Sequence, residues 1–432
     1  MVLTLGYIKE KWGHAGFQKY LKSAGWMFFS RIASLAFTFF ISAYIVRKLG
    51  PINYGELSYA VSFVSIFSLI ATFGIDNIIY RELIRFPENR SKYLGTGLVL
   101  KFVAGISATT LCLIFAYFSA TSYLSLLLIS ILSFTFIFNS FALVSYEFYA
   151  RVNNKLPSII SLVVLVILNV LKVFVILSGK GVIYIAFVLL LEPIITSLFL
   201  VYIYVKKYGS IFKLSFDKIV ARTLLKDSWP LIFPGAFALI YARIDQILIK
   251  HMIDTHSVGI YDSAVRISEG WYFIPTIIVS TFFPAIVLSK SISDSEYNKR
   301  LGRLAILLLF ISIIIALPVT IFAKDIMQFL YGSAFTGGAG VLQIYIWAGV
   351  GTSLTALAIN YLVNENFRKI IFYSYLTAML SNVILNIAFI PRYGIIGSAW
   401  ATFISYSLCP VSLIFFREPR KRLLAIFKII LR

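Results

Sequence analysis

The chain has 432 residues, of which 60% are hydrophobic and only 13% charged, and it carries a formal net charge of +21. Soluble domains are about a quarter charged, and no soluble core of this length could hide so much apolar surface. The apolar runs are long and lack two-residue alternation, which excludes a barrel and predicts helices of roughly 20 residues crossing a bilayer.

The first 23 residues are polar and basic, and the apolar run after them is too long for a secretory signal, so an uncleaved first helix is expected. Spans are predicted at 24–46, 57–79, 97–118, 123–146, 158–177, 182–205, 229–250, 258–287, 302–323, 338–362, 370–390 and 396–416. Of the 39 Lys and Arg, 28 fall in alternate connections: the N-terminus, 81–92, 147–157, 206–228, 288–303, 364–369 and the tail. The opposite connections hold six. This asymmetry predicts both termini in the cytoplasm and assigns the basic charge to membrane lipid, not nucleic acid.

In the 206–228 connection, Phe212, Phe216, Ile219 and Val220 share a helical face, with Lys213, Lys218, Arg222 and Lys226 interspersed. The tail 417–432 sets Leu423, Ile426, Phe427 and Ile430 against Lys421, Arg422, Lys428 and Arg432. Both predict amphipathic helices held on anionic lipid. The chain also repeats itself: Gly55–Val61 matches Gly259–Val265, and the run from Asn169 matches that from Asn382. The expected fold is therefore an all-α integral membrane protein of about twelve helices, in two pseudo-symmetric six-helix bundles around a central cavity. The division predicted is 1–205 and 229–416 for the two lobes, 206–228 for a linker and 417–432 for a tail, with the lobes as parallel repeats.

A charge at membrane depth costs at least a few kcal/mol and asks for a reason. Basic residues within spans are Arg31, Lys101, Lys172, Arg243 and Arg266; the acids are Asp76, Glu192, Asp245, Asp262 and Glu269. Most lie on spans 1, 2, 7 and 8. Asp262, Arg266 and Glu269 make one stripe, which either glues helices as a neutral set or lines a wet cavity. Arg243 and Asp245 point to different sides of span 7, with Gln246 on the Arg243 side. Arg31 and Lys172 either snorkel or face the cavity, and Lys101 is expected to snorkel. Glu192, before Pro193, is the first candidate for ion coupling. Trp271, Tyr272 and Tyr241 either stack on sugar or face lipid. There is no metal-ligand cluster, phosphate-cradling loop or nucleophile with a nearby histidine, so neither a cofactor nor an enzyme is expected. Arginine in a cavity suits phosphate, which its planar fork grips with parallel hydrogen bonds. The charges alone indicate a transporter of a polar or anionic substrate.

Three stretches resemble the Wzx-type polysaccharide flippase family of the multidrug/oligosaccharidyl-lipid/polysaccharide exporter superfamily: Gly25–Arg31 with Arg47–Ala60 and Phe73–Glu82; Pro230–Pro234 with Arg243–Ile249 and Val258–Glu269; and Asn386–Pro391 with Tyr393–Thr402. The resemblance implies a bacterial inner-membrane flippase that serves O-antigen and lipopolysaccharide biosynthesis. Its cargo would be oligosaccharide repeat units linked to undecaprenyl pyrophosphate, moved from the cytoplasmic to the periplasmic face by alternating access. The two helices that lipid II flippases carry in addition are lacking. Arg31, Arg243, Arg266 and Lys172 are expected to bind substrate, and Glu192, Asp76, Asp245, Asp262 and Glu269 to couple an ion or line the cavity. Partners expected are the lipid-linked oligosaccharide, membrane lipids, and polysaccharide polymerase and chain-length proteins. The alternatives are a cation-coupled multidrug exporter of the same superfamily and, from a different class, a membrane glycan polymerase, which would need a large external loop.

Overall fold

The structure, a computed structural model, describes the backbone of residues 15–430 and the side chains of 37–229, 232–424 and 426. The described residues are mostly helical and contain no strand. Among the described residues nine helices are long and apolar enough to cross a membrane, or ten if the bent pair Ser333–Tyr345 and Ala348–Asn364 is one span. Two of these are too long for a single crossing. Helix α1, Ala15–Thr72, has 58 residues and would run about 87 Å unbroken, nearly three bilayer cores. It breaks at Gly50, whose φ of +72° is a conformation glycine adopts without strain, and Pro51 restarts the helix. The helix Arg368–Val411 breaks in the same way at Gly394. With each broken helix counted as two crossings, the described residues make twelve.

The chain forms two compact units. The first takes in the described residues up to Ile45 and Phe67–Ile232. Beyond α1 it contains α2 (Asp76–Arg85), α3 (Arg90–Ser119), the short segments α4 (Tyr123–Ser133), α5 (Thr135–Asn139) and α6 (Val144–Ala150), then α7 (Lys155–Leu177) and α8 (Val182–Tyr208). Its core joins Ile75, Ile79 and Leu83 of the α2 region to Leu94 and Leu98 of α3 and to Leu143, Val144 and Phe148. Phe102, Val103, Phe115 and Phe174 remain on the outside, as expected of a face solvated by lipid tails.

The connection after α8 differs from the predicted amphipathic helix. Residues 209–217 hold one short turn, Ile211–Lys213, and then run extended. Helix α9, Lys218–Met252, begins only where the Asp217 carboxylate accepts from the Ile219 and Val220 amides, at 2.8 and 3.2 Å. That N-cap sets the start. Phe212 and Phe216 therefore precede the helix that carries Ile219, and all three are exposed. The extended piece lies on α3, where a Cβ at Gly95 would stand 2.6 Å from the Ser215 carbonyl oxygen.

The second unit takes in Val46–Ile66 and the described chain from Phe233 on. It contains most of α9, then α10 (Thr255–Glu269), α11 (Phe273–Ser289), α12 (Asp294–Ile321), α13 (Ala323–Tyr331), α14 (Ala339–Tyr345), α15 (Ala348–Asn364), α16 (Arg368–Val411) and α17 (Arg417–Ile430). Its main core joins Val279 and Phe283 of α11, Tyr297, Leu301 and Leu308 of α12, and Leu357 and Leu362 of α15. Leu423 and Ile426 of the tail helix pack against this core. Arg422 donates to Asp294 at 3.0 Å and to Asn298 at 2.9 Å. Part of the tail's apolar face thus meets protein, where the sequence led us to expect lipid.

Within this unit the two copies of the repeated motif cross. A Cβ at Gly55 would lie 2.0 Å from the Thr255 carbonyl oxygen, and one at Gly259 would lie 2.0 Å from that of Pro51. Only glycine allows the backbones of α1 and α10 to approach so closely.

Candidate functional site

The crossing brings residues of α1 against the charged stripe of α10. Helix α10 starts where the Asp254 side chain accepts from the Ser257 amide at 2.7 Å, and it stops at Gly270. Asp262 is 2% exposed, and its Oδ2 accepts from Arg266 Nε at 2.9 Å and from the Tyr54 hydroxyl. The guanidinium carbon of Arg266 sits 5.7 Å from the centre of the Tyr54 ring. One turn further along, Glu269 accepts from Arg243 of α9 at 3.2 Å and from the Tyr345 hydroxyl at 3.4 Å. The predicted stripe is thus held in charge-neutral pairs. The arginines, however, remain the exposed partners. The side chains of Arg266 and Arg243 are 42% and 31% exposed, against 3% and 22% for Asp262 and Glu269. Each arginine spends one of its five N–H donors on its carboxylate, and the remaining donors can take an anion.

Asp245 behaves differently. It is fully buried, accepts from the Tyr261 hydroxyl at 2.6 Å and the Gln246 amide nitrogen at 3.0 Å, and has no Lys or Arg within ion-pair distance among the described residues. The Gln246 side chain, oriented by its partners, adds a donor to Asp245 at 2.6 Å and another to the Arg243 carbonyl at 2.9 Å. Behind them Asn382, Asn386, Ser398 and Thr402 are all fully buried, and Ser398 donates to Asn386 at 2.6 Å. A buried carboxylate with only neutral donors is the kind of group that can exchange a proton or another cation.

Two interactions were missed from the sequence. Lys250 and Glu56 pair at 2.7 Å with side chains 2% and 9% exposed, tying α1 to α9 within the second unit. Tyr54 was also missed, although its motif precedes the repeated glycine. Of the aromatics expected to meet sugar or lipid, Trp271 is buried and Tyr241 and Tyr272 are half-buried. Trp271 lies on Gly349, where a Cβ would come within 2.1 Å of its ring, and Tyr241 packs on Tyr406 with ring centres 4.9 Å apart.

Asp76, Lys172 and Glu192 belong to the first unit. Phe73 and Gly74 adopt positive φ and break the helix, which sets Asp76 in the first turn of α2. Lys101 does not snorkel. It is buried, with Nζ 2.6 Å from Asp76 Oδ1, because an ammonium at that depth gains more from a carboxylate than from reaching for water. Lys172 is buried beside Asn169, also buried, on α7, and Glu192 is half-buried on α8. Arg31 lies outside the residues whose side chains are described. Among the described residues no His, Cys, Asp and Glu gather as a metal site.

Residues 20–289 match the polysaccharide biosynthesis protein family. The chain belongs to that family. Over 188 residues, 39% of the chain, it is 27% identical to the probable flippase AglR of Haloferax volcanii; the match spans only about a third of that protein, 36%. In fold it is similar to a multidrug resistance MATE family transporter of the MOP superfamily in an inward-facing conformation, with a TM-score of 0.70 at 14% identity, covering 91% of this chain and 96% of that one. It is likewise similar to the lipid II flippase MurJ, with a TM-score of 0.69 at 18% identity, covering 95% and 91%. The multi-pass, all-helical exporter fold expected from the sequence is therefore the fold of this family member.

Proposed function

We propose that this protein is a flippase for a lipid-linked oligosaccharide, carrying undecaprenyl-pyrophosphate-linked repeat units from the cytoplasmic to the periplasmic face of the inner membrane, with both termini cytoplasmic. The observation that carries the reading is the pair of half-exposed guanidiniums at Arg243 and Arg266. Each is fixed by one carboxylate less exposed than itself and keeps most of its donors free. A group held in this way is oriented before its ligand arrives, and a pyrophosphate offers several oxygens to the free N–H groups. Arg31 and Lys172, singled out by the sequence, are proposed as further anion-binding residues. Asp245 and Glu192 are the proposed coupling carboxylates, and Asp76, Asp262 and Glu269 hold the basic residues in place. Membership of a polysaccharide biosynthesis family supports a glycan cargo, and the likeness to AglR, a probable flippase, supports flipping. Polymerase and chain-length proteins would act on the delivered product.

The test is surface glycan in cells carrying Arg31→Ala, Arg243→Ala or Arg266→Ala at unchanged protein level. Each variant is expected to lose it. Normal surface glycan in all three would refute the reading. The likeness to a MATE transporter favours a second reading, a cation-coupled multidrug exporter. It predicts that deletion raises drug sensitivity and leaves surface glycan intact, the reverse of the first reading.

A further inference from the structure

The first unit contains a polar cavity of about 250 Å³ that the phosphate-gripping site does not use. It is walled by Asp76, Lys101, Asn139, Ser145 and Tyr146, with Phe136 as an apolar side. Its depth is that of a membrane crossing: Asn139 lies well inside the span Tyr123–Ala150, whose mean hydropathy is 2.2. Three polar groups facing it have no hydrogen-bond partner among the described residues. They are the exposed side-chain amide of Asn139, the second carboxylate oxygen of Asp76, whose first oxygen holds Lys101, and the Tyr146 hydroxyl. The Ser145 hydroxyl donates to the Ala142 carbonyl at 2.7 Å and so turns its acceptor side outward.

Polar groups left open in an apolar span cost about 1–3 kcal/mol each on mutational scales unless something wet meets them. The Lys101 ammonium already neutralises Asp76, so the cavity does not call for a metal or a cationic drug. What remains is a set of neutral donors and acceptors, one ionised acceptor, and the rings of Tyr146 and Phe136. Hydroxyls around a six-membered ring, whose C–H faces lie on aromatic carbons, match such a set. The volume sits near the small end of ordinary ligand sites, about 300 Å³ upward, and suits one ring more than a chain of them.

We propose that this cavity of the first unit binds a single neutral sugar residue of the cargo. The inference rests on the glycan reading above and adds to it a second contact, one that recognises sugar where the arginines recognise phosphate.

The test uses lipid-linked glycan extracted from cells lacking this protein, alongside the same carrier stripped of its sugar, supplied as undecaprenyl pyrophosphate. Both are titrated against purified protein in nanodiscs. The wild type is expected to prefer the intact glycolipid about tenfold, as one or two hydrogen bonds provide. Asn139→Leu and Tyr146→Phe should each remove most of that preference and leave affinity for the stripped carrier unchanged. Equal wild-type affinity for both ligands, or a preference that survives in both variants, overturns the sugar site and leaves the flippase reading standing. Failure of the wild type to bind either ligand overturns the flippase reading itself.

Discussion

The buried pair Glu56–Lys250 gives the sharpest test of how the second unit is held together. The charges lie 2.7 Å apart with side chains 9% and 2% exposed, so neither can turn to water if its partner is lost. Lys250 also stacks on the Tyr59 ring, its nitrogen 5.0 Å from the centre, and Glu56 receives a weaker hydrogen bond from Thr255 at 3.3 Å. Removing one member of a buried pair costs about 3–5 kcal/mol, whereas replacing both by groups of similar shape is close to neutral. At about 2–4 °C per kcal/mol for a cooperative unit of this size, Lys250→Met alone should lower Tm by about 6–20 °C, and so should Glu56→Gln alone. The double variant should recover most of that loss. Both cysteines, Cys112 and Cys409, are buried, so a thiol-reactive fluorogenic dye reports unfolding without an added label. If the two single losses add in the double variant, the pair is not coupled, and the reasoning that α1 is tied to α9 through these charges fails.

Gly259→Leu places a side chain where even a Cβ would lie 2.0 Å from the Pro51 carbonyl oxygen. It should abolish transport and lower Tm more than Gly337→Leu, whose nearest atom to a Cβ is 3.7 Å away. Asp245→Asn removes the charge and keeps one acceptor oxygen for the Gln246 amide, while its NH2 can donate to the Tyr261 hydroxyl in place of the bond that the second oxygen accepted. Transport into proteoliposomes should then lose its dependence on an imposed proton or sodium gradient, and retained dependence would clear Asp245 of coupling. Arg422→Ala removes the contacts to Asp294 and Asn298. It should speed tryptic cleavage at Arg417–Lys421 several-fold while α12 stays resistant; an unchanged rate would mean that Leu423 and Ile426 hold the tail alone.

The sequence by itself determined the class of molecule. Apolar runs of bilayer length have no other stable solution than spanning helices. It also exposed Arg243, Asp262, Arg266 and Glu269, since a charge in an apolar run is conspicuous at any register. Which charge meets which was decided only by tertiary structure. Lys101 looked like a residue able to reach water until α2, broken from α1 at Phe73 and Gly74, brought Asp76 beside it. Glu56 falls just before the predicted span 57–79 and Lys250 on the last residue of 229–250, yet both are buried where Gly55 and Gly259 let α1 and α10 cross backbone to backbone. Periodicity reports the faces of one helix. It cannot report the partner that a second helix, about 200 residues away in the chain, presses against that face.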